Sequence, residues 1–180
     1  MKATLSIVVL SLLIPVAASA QDGRINLSFL DRLGERASEK QEIIIGPEML
    51  ANGQALIRPG PKADAAKQIV SELKGIYVRS YEFDDPKAYS MDDINAIRKQ
   101  LSQPGWVKVV SNEEKDKGGQ WELQEIYFFQ QGGKMGGIFL MNAEPGELQV
   151  INIVGPIDLA KLAALGGVLG IPNNIENSLR

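Results

Sequence analysis

The sequence contains no cysteine and no histidine. Without cysteine the chain cannot form a disulfide, a thiolate metal site or a catalytic thiol, and it cannot carry a lipid on a processed amino-terminal cysteine. Without histidine, the Ser-His-Asp and Cys-His arrangements and the usual zinc and iron ligand sets are excluded. Any catalysis would therefore depend on carboxylates, lysine, tyrosine or serine. We predict no catalytic residue, no metal site and no cofactor.

Long apolar runs are also scarce. The first twenty residues contain Lys2, an apolar run from Leu5 to Ile14, and small residues at Ala18 and Ala20. This pattern is typical of a secretory signal peptide, because its apolar run of about ten residues is half the length of a membrane-spanning helix. We expect cleavage after Ala20, with a periplasmic or secreted product and no transmembrane segment after cleavage. A retained anchor is the weaker alternative.

The chain has no excess of positive charge. Its 19 basic and 22 acidic residues give a net charge of −3, and loss of Lys2 with the leader makes the charge more negative by one. Such a surface does not attract nucleic acid, so no nucleic-acid partner is predicted. After the signal peptide, 1–20, the remaining length suffices for one domain with its own core. We place that domain at 21–166 and a carboxy-terminal tail at 167–180.

The most strongly patterned stretch is 121–165. Apolar and polar residues alternate there in three strands, which are joined by turns at Gly132-Gly133 and at 144–146. A helix is predicted from Asp158. Its apolar residues, which would cover the sheet, are Leu159, Leu162, Ala163 and Leu165.

The glycines around Lys134 resemble a phosphate-binding loop only superficially. Such a loop needs a strand before it, a helix after it and a Lys-Ser or Lys-Thr pair, whereas a strand follows here. A hairpin turn explains these glycines better.

Upstream, helical and strand patterns alternate. The periodicity predicts helices at 26–36, 64–74 and after Ser90, strands at 42–45, 75–83 and 106–110, and a charged hairpin loop at 111–119. Consecutive strands with short turns pair antiparallel. The predicted fold class is therefore α+β: a single domain with a largely antiparallel sheet, helices packed on it, and a carboxy-terminal strand meander closed by a helix.

Four residues are candidates for binding. The strand at 75–83 places Tyr77, Arg79 and Tyr81 on one face, where they could stack a ring or hold an anionic ligand. Such a row is more often the solvent side of a sheet, or is covered by a helix and uses its hydroxyls in hydrogen bonds. Asn152 interrupts an apolar strand, so it is either a hydrogen-bonded structural residue or part of a site, and we favour the former.

Acidic residues offer the remaining chemistry. Ser90 would cap a helix with Asp92 and Asp93 in its first turn, where the helix dipole favours negative charge. The buried stripe of this helix would be Met91, Ile94, Ile97 and Leu101. A carboxylate-dependent hydrolase would need two carboxyl groups facing each other across a cleft. The candidates for such a pair are Asp84, Asp85, Glu122 and Glu125.

Several segments resemble a known family. LSFLDRLGERAS, EIIIGPEML, GIYVRSYEF and above all ELQVINIVGPIDLAKLAAL are similar to the exported bacterial proteins grouped as the domain of unknown function DUF4252. The resemblance covers essentially the whole mature chain and implies export, but it supplies no catalytic residue. Some members are lipoproteins, and this chain departs from them because it has no cysteine to carry a lipid.

The sequence leaves three functions open. The leading hypothesis is a non-enzymatic protein-binding or regulatory module of the cell envelope, with a protein partner. One alternative is a carrier of a small apolar or lipid ligand in a groove between the sheet and the terminal helix. The other is a small carboxylate-dependent hydrolase.

Overall fold

The computed structural model describes residues 22–57, 59–60, 63–115 and 121–158. Six strands form one antiparallel sheet in the order β1-β2-β6-β5-β4-β3. The elements are a 3-10 turn at Ser28–Leu30, α1 (Asp31–Gly34), β1 (Glu39–Ile45), α2 (Pro47–Gly53), a 3-10 turn at Gln54–Leu56, α3 (Ala63–Glu72), β2 (Gly75–Glu82), α4 (Met91–Leu101), β3 (Trp106–Lys115), β4 (Trp121–Gln131), β5 (Lys134–Glu144) and β6 (Glu147–Val154). The predicted α+β class with a largely antiparallel sheet is confirmed.

Strands β3 to β6 form the predicted meander. Gly132, Gly133 and Gly146 have φ values of 59°, 75° and 82°, which other residues rarely adopt, so glycine permits both tight turns. Beyond β6 the sheet continues through β2 to β1. The strand that ends the meander therefore lies inside the sheet, and β1 and β3 form its two edges.

Strand β3 is longer than the sequence predicted. The segment Ser111–Lys115, predicted as part of a charged loop, is strand and pairs with β4 up to the Lys115 and Trp121 pair. The prediction was wrong because charged residues suit an edge strand, whose side chains reach water while its backbone pairs on one side only. The rest of the predicted loop, 116–119, lies outside the described residues.

The front face of the sheet carries the main core. The segment before β1 and helix α4 lie over it, and α4 contributes its predicted apolar stripe of Ile94, Ile97 and Leu101. The fully buried apolar residues that meet there are Leu30, Leu33, Tyr81, Ile94, Ile97, Phe139, Met141, Ala143, Leu148 and Val150.

The back face carries two apolar clusters. Leu50 of α2, Val70 of α3 and Leu73 just after α3 pack against Ile153 and its neighbours on β1 and β2. The other half, on β4 and β5, carries what we call the back-face layer. Its members are Ile126, Phe128, Ile138 and Leu140.

Helix α4 begins with the predicted cap. The carboxylate of Asp93 accepts the backbone N–H of Ser90 at 2.9 Å, and it also pairs with Arg32 of α1. The two helices over the front face are therefore joined by an ion pair in addition to apolar packing.

Three predicted segments fall outside the described residues: the signal peptide 1–20, the helix continuing from Asp158 and the tail 167–180. Among the helices that the structure describes, none is both long enough and apolar enough to cross a membrane.

Candidate functional site

Tyr77 lies in the middle of a row that crosses three strands on the front face. It is paired with Ile44 of β1 on one side and with Asn152 of β6 on the other. Residues directly opposite in an antiparallel pair point to the same face, so the three side chains are neighbours. Ile44 is 52 % exposed, whereas Asn152 is fully buried. The row therefore runs from solvent at the sheet edge into the core.

Arg24 stacks on this row. Its guanidinium carbon lies 4.5 Å from the centroid of the Tyr77 ring, which is the geometry of a cation–π contact. Arg24, Ile44 and Tyr77 together form a surface that we call the front-edge patch. It combines an exposed aliphatic side chain, an aromatic ring and a cation at one edge of the sheet.

Asn152 holds the backbone that carries Arg24. Its Oδ1 accepts the N–H of Ile25 at 2.9 Å, and its Nδ2 donates to the carbonyls of Gly23 at 3.1 Å and Ile138 at 3.2 Å. The preferred interpretation of Asn152 as a hydrogen-bonded structural residue is thus confirmed. Because it binds the residues on both sides of Arg24, it also positions the front-edge patch.

Arg79 is engaged in ion pairs. Its Nη1 lies 2.8 Å from Asp31 and its Nη2 lies 2.7 Å from Glu42, and its side chain is 14 % exposed. An anionic ligand would have to compete with two carboxylates for this guanidinium. Arg79 therefore joins α1 to β1 and β2 beside the patch.

Tyr81 is not on the surface. The expectation of an exposed Tyr77, Arg79 and Tyr81 row is wrong at this residue, which is fully buried in the main core. The backbone of Gly34 in α1 passes so close that a β-carbon there would lie 3.3 Å from the Tyr81 ring. Among the described residues the Tyr81 hydroxyl has no hydrogen-bond partner. Burial raises its pKa, and the nearby Arg79 guanidinium lowers it by less.

The carboxylates proposed for hydrolysis do not form a pair on β4. Glu122 and Glu125 are three residues apart on one strand, so they point to opposite faces of the sheet. Glu122 is exposed and Glu125 is fully buried. Asp84 and Asp85 are exposed after β2, where Asp85 accepts the N–H of Lys87 at 2.9 Å.

Glu125 is the centre of a buried ion cluster. Arg98 of α4 donates from Nε at 3.2 Å and from Nη2 at 2.9 Å, Tyr127 donates its hydroxyl at 2.7 Å, and Lys108 of β3 also binds the carboxylate. Burial by itself would raise the pKa of Glu125, but the hydrogen bonds from Arg98, Lys108 and Tyr127 outweigh it and lower the pKa. Glu125 therefore stays ionised and has no proton to donate as a general acid.

The sequence contains one signal for this cluster. Glu125 lies two residues from both Leu123 and Tyr127 and so shares their face of the strand, which predicts that it points into the core. A buried carboxylate requires cationic or hydrogen-bonding partners. The strand pattern does not identify Arg98 of α4, 27 residues away in sequence, as one of those partners.

The described residues hold no group of three or more acidic side chains placed to bind a metal ion.

The comparisons with known proteins give a family and a distant fold relative. The profile of the family described as Domain of unknown function (DUF4252) matches residues 35–165. No curated protein matches the chain. Among solved structures, PA94 from Pseudomonas aeruginosa, a protein of unknown function, is 11 % identical with a TM-score of 0.33, over 74 % of this chain and 79 % of that one. A likeness this weak supports no argument about function.

Proposed function

This chain belongs to the family of the domain of unknown function DUF4252, and from its surface we propose that it is an exported, non-enzymatic module of the cell envelope that binds another protein. The observation that carries the proposal is the front-edge patch. Ile44 is more than half exposed beside Tyr77, on whose ring Arg24 stacks. Aromatic residues and arginine are enriched in protein interfaces, where they contribute most of the binding energy.

The backbone next to the patch supports the same proposal. Strand β1 is an edge of the sheet, and on its outer side it has no strand partner among the described residues. An extended segment of a partner can add to such an edge through main-chain hydrogen bonds, while side chains give specificity. Lys40 and Glu42 share the front face with Ile44. A partner strand would thus meet alternating charge followed by an apolar contact.

Export is supported by the sequence of the leader. Lys2, the short apolar run and the small residues before Gln21 fit a cleavable signal peptide. The absence of cysteine suits an oxidising compartment, because no thiol can form an unwanted disulfide.

We do not propose the hydrolase alternative. Of its four candidate carboxylates only Glu125 is buried, and Glu125 is already bound by two cations and a tyrosine hydroxyl. Its lowered pKa removes the proton that a general acid requires.

The test uses the cysteine-free chain. In the host cell, an Ile44→Cys variant carrying a photo-reactive probe should form one discrete cross-linked product, which mass spectrometry identifies. Val109→Cys is the matched control, because Val109 is 42 % exposed on the opposite edge strand. Purified partner should then bind the wild-type chain, and Ile44→Asp should weaken binding at least tenfold.

Two results would overturn the proposal: no product at Ile44, or the same products at Ile44 and Val109. Native mass spectrometry of the purified chain distinguishes a protein-binding module from a small-molecule carrier. A small molecule that co-purifies in place of a protein partner would favour the carrier.

A further inference from the structure

The two edge strands of the sheet differ in how well they could accept another strand. Strand β3 is interrupted by a β-bulge between Lys108 and Val110, and a bulge twists an edge so that a further strand pairs poorly with it. Strand β1 has no bulge, because all of Glu39–Ile45 pairs with β2 in one unbroken register. Strand β1 is therefore the edge that a seventh strand could extend.

The register sorts the back face into rows that cross the strands, because residues directly opposite each other share a face. The first row consists of glutamates, which pair in the order Glu39, Glu82, Glu147 and Glu144. All four are exposed, and within the described ranges none of them forms an ion pair. Partial desolvation and the charges of Glu144 and Glu82 raise the pKa of Glu147. A negative row without a counter-charge thus ends at Glu39 on the free edge.

The back-face rows change from acidic to apolar along β1. The second row is polar and uncharged, and its members are Gln41, Ser80 and Gln149. Two apolar rows follow, formed by Ile43, Val78 and Ile151 and by Ile45, Ile76 and Ile153. A strand added outside β1 would extend each row by one residue. The side chains that complement these rows are basic at the Glu39 end and apolar at the Ile45 end.

The front face of β1 adds two further contacts. Glu42 is already bound by Arg79. Lys40 is exposed and has no ion pair with a described residue, and Ile44 is 52 % exposed. An acidic residue opposite Lys40 and an apolar residue opposite Ile44 would complete this face of the added strand.

A second copy of the chain suits this edge poorly. Two β1 strands paired antiparallel about Glu42 would place the two Glu42 carboxylates opposite each other. They would also place Ile45 of each copy opposite Glu39 of the other. Like charges directly opposite each other destabilise a strand pair, so the edge favours a different sequence.

We propose that β1 accepts an extended segment of a partner protein as a seventh, antiparallel strand, with a basic residue opposite Glu39 and branched apolar residues opposite Ile43 and Ile45. Every strand pair of this sheet is antiparallel, and antiparallel pairing is slightly more stable per residue than parallel pairing. The segment therefore carries its apolar residues at its amino-terminal end and its basic residue at its carboxy-terminal end. This inference rests on the proposed function and names the chemistry of the partner.

The first test compares two labelled peptides with blocked termini. The matched probe, Val-Ile-Val-Thr-Thr-Glu-Lys, places lysine opposite Glu39 and glutamate opposite Lys40. The control ends in Lys-Glu, so it has the same composition but meets like charges at both positions. Fluorescence anisotropy should show that the matched probe binds the wild-type chain about fivefold or more tightly than the control. Equal affinities, or no binding of either peptide, would overturn the proposal.

The second test changes the charge of the edge. Glu39→Lys should reverse the preference, so that the control peptide binds more tightly than the matched probe. Glu114→Lys is the matched control variant, because Glu114 is exposed on the opposite edge strand and the substitution changes the net charge equally. It should keep the wild-type preference. If the two variants behave alike, net charge rather than strand addition causes the preference, and the proposal is wrong.

Amide hydrogen exchange distinguishes strand addition from other modes of contact. In an edge strand, alternate N–H groups point away from the sheet. The bound matched probe should slow exchange of these amides in β1 several-fold and leave β3 unchanged. Binding without new protection in β1 would overturn the proposal. So would a dimer of the wild-type chain that Glu39→Lys disrupts, because it would identify a second copy as the occupant.

The partner captured at Ile44 separates this inference from the proposed function. If that partner binds the wild-type and Glu39→Lys chains equally well, the proposed function stands and this inference fails. If no partner is captured at Ile44, both fail.

Discussion

Asn152 and Tyr77 are directly opposite each other on β6 and β2, and Asn152 binds the backbone on both sides of the arginine that stacks on Tyr77. A fully buried amide thus determines the position of an exposed cation. The core and the front-edge patch are coupled through two hydrogen bonds, one donated by the Asn152 amide to the Gly23 carbonyl and one donated by the Ile25 N–H to Asn152 Oδ1.

We therefore expect Asn152→Ala to destabilise the protein by about 2–3 kcal/mol, since three hydrogen bonds of about 1 kcal/mol each are lost. Urea unfolding measures this change. Hydrogen exchange should show lost protection at the Ile25 amide while Ile97 in α4 stays protected. Asn142→Ala is the control, because Asn142 lies on the back face of β5 between glutamines, and its cost should stay within about 0.5 kcal/mol. An unchanged Ile25 amide would contradict the coupling.

The Glu125 cluster gives a second prediction. Glu125→Gln leaves Arg98 and Lys108 without their shared counter-charge. Removing one partner of a buried pair costs about 3–5 kcal/mol, and we expect about 2–3 kcal/mol because both cations are partly exposed. Glu122→Gln, on the opposite face of the same strand, should change the free energy of unfolding by less than about 0.5 kcal/mol. Equal effects of the two substitutions would show that the cluster is not stabilising.

The lowered pKa of Glu125 should also make the free energy of unfolding depend on pH in the acid range. The pKa of Glu125 in the folded protein lies below its ordinary value of 4.5. The folded state therefore holds fewer protons, and the stabilisation is complete above the unfolded pKa and is lost as the pH falls toward the folded pKa. Urea midpoints measured from about pH 6 to about pH 3 should fall less steeply for Glu125→Gln than for wild type. Parallel curves would show that another group causes the acid dependence.

Two buried tyrosines should respond in opposite ways to loss of the hydroxyl. The Tyr81 hydroxyl has no hydrogen-bond partner among the described residues, so Tyr81→Phe should be neutral or stabilising by up to about 1 kcal/mol. The Tyr127 hydroxyl donates to Glu125 at 2.7 Å, so Tyr127→Phe should cost about 1–2 kcal/mol. Thermal unfolding of the two variants side by side provides the measurement. The reverse order would mean that Tyr81 has a polar partner in solution.

Much of the fold followed from the sequence because it depends on local pattern. Period-two alternation indicated β4, β5 and β6, the glycines marked their turns, and the stripe Ile94, Ile97 and Leu101 indicated α4. These features need only neighbouring residues. The absence of cysteine and histidine likewise excluded whole classes of chemistry without reference to any structure.

The candidate site was predicted less completely. Alternation correctly placed Tyr77, Arg79 and Tyr81 on one face, but it could not show that α1 covers Tyr81 and leaves Tyr77 near the edge. Ile44 entered the site only because β1 pairs with β2.

What the sequence determined by itself is the set of elements, the residues that share a face and the chemistries that are absent. The tertiary structure decided which faces are covered and which polar groups become partners. Ile25 and Asn152 are 127 residues apart, and Arg98 and Glu125 are 27 apart. Contacts across such separations depend on strand order and on the packing of the whole chain, whereas periodicity reports only which side of its own element a residue occupies.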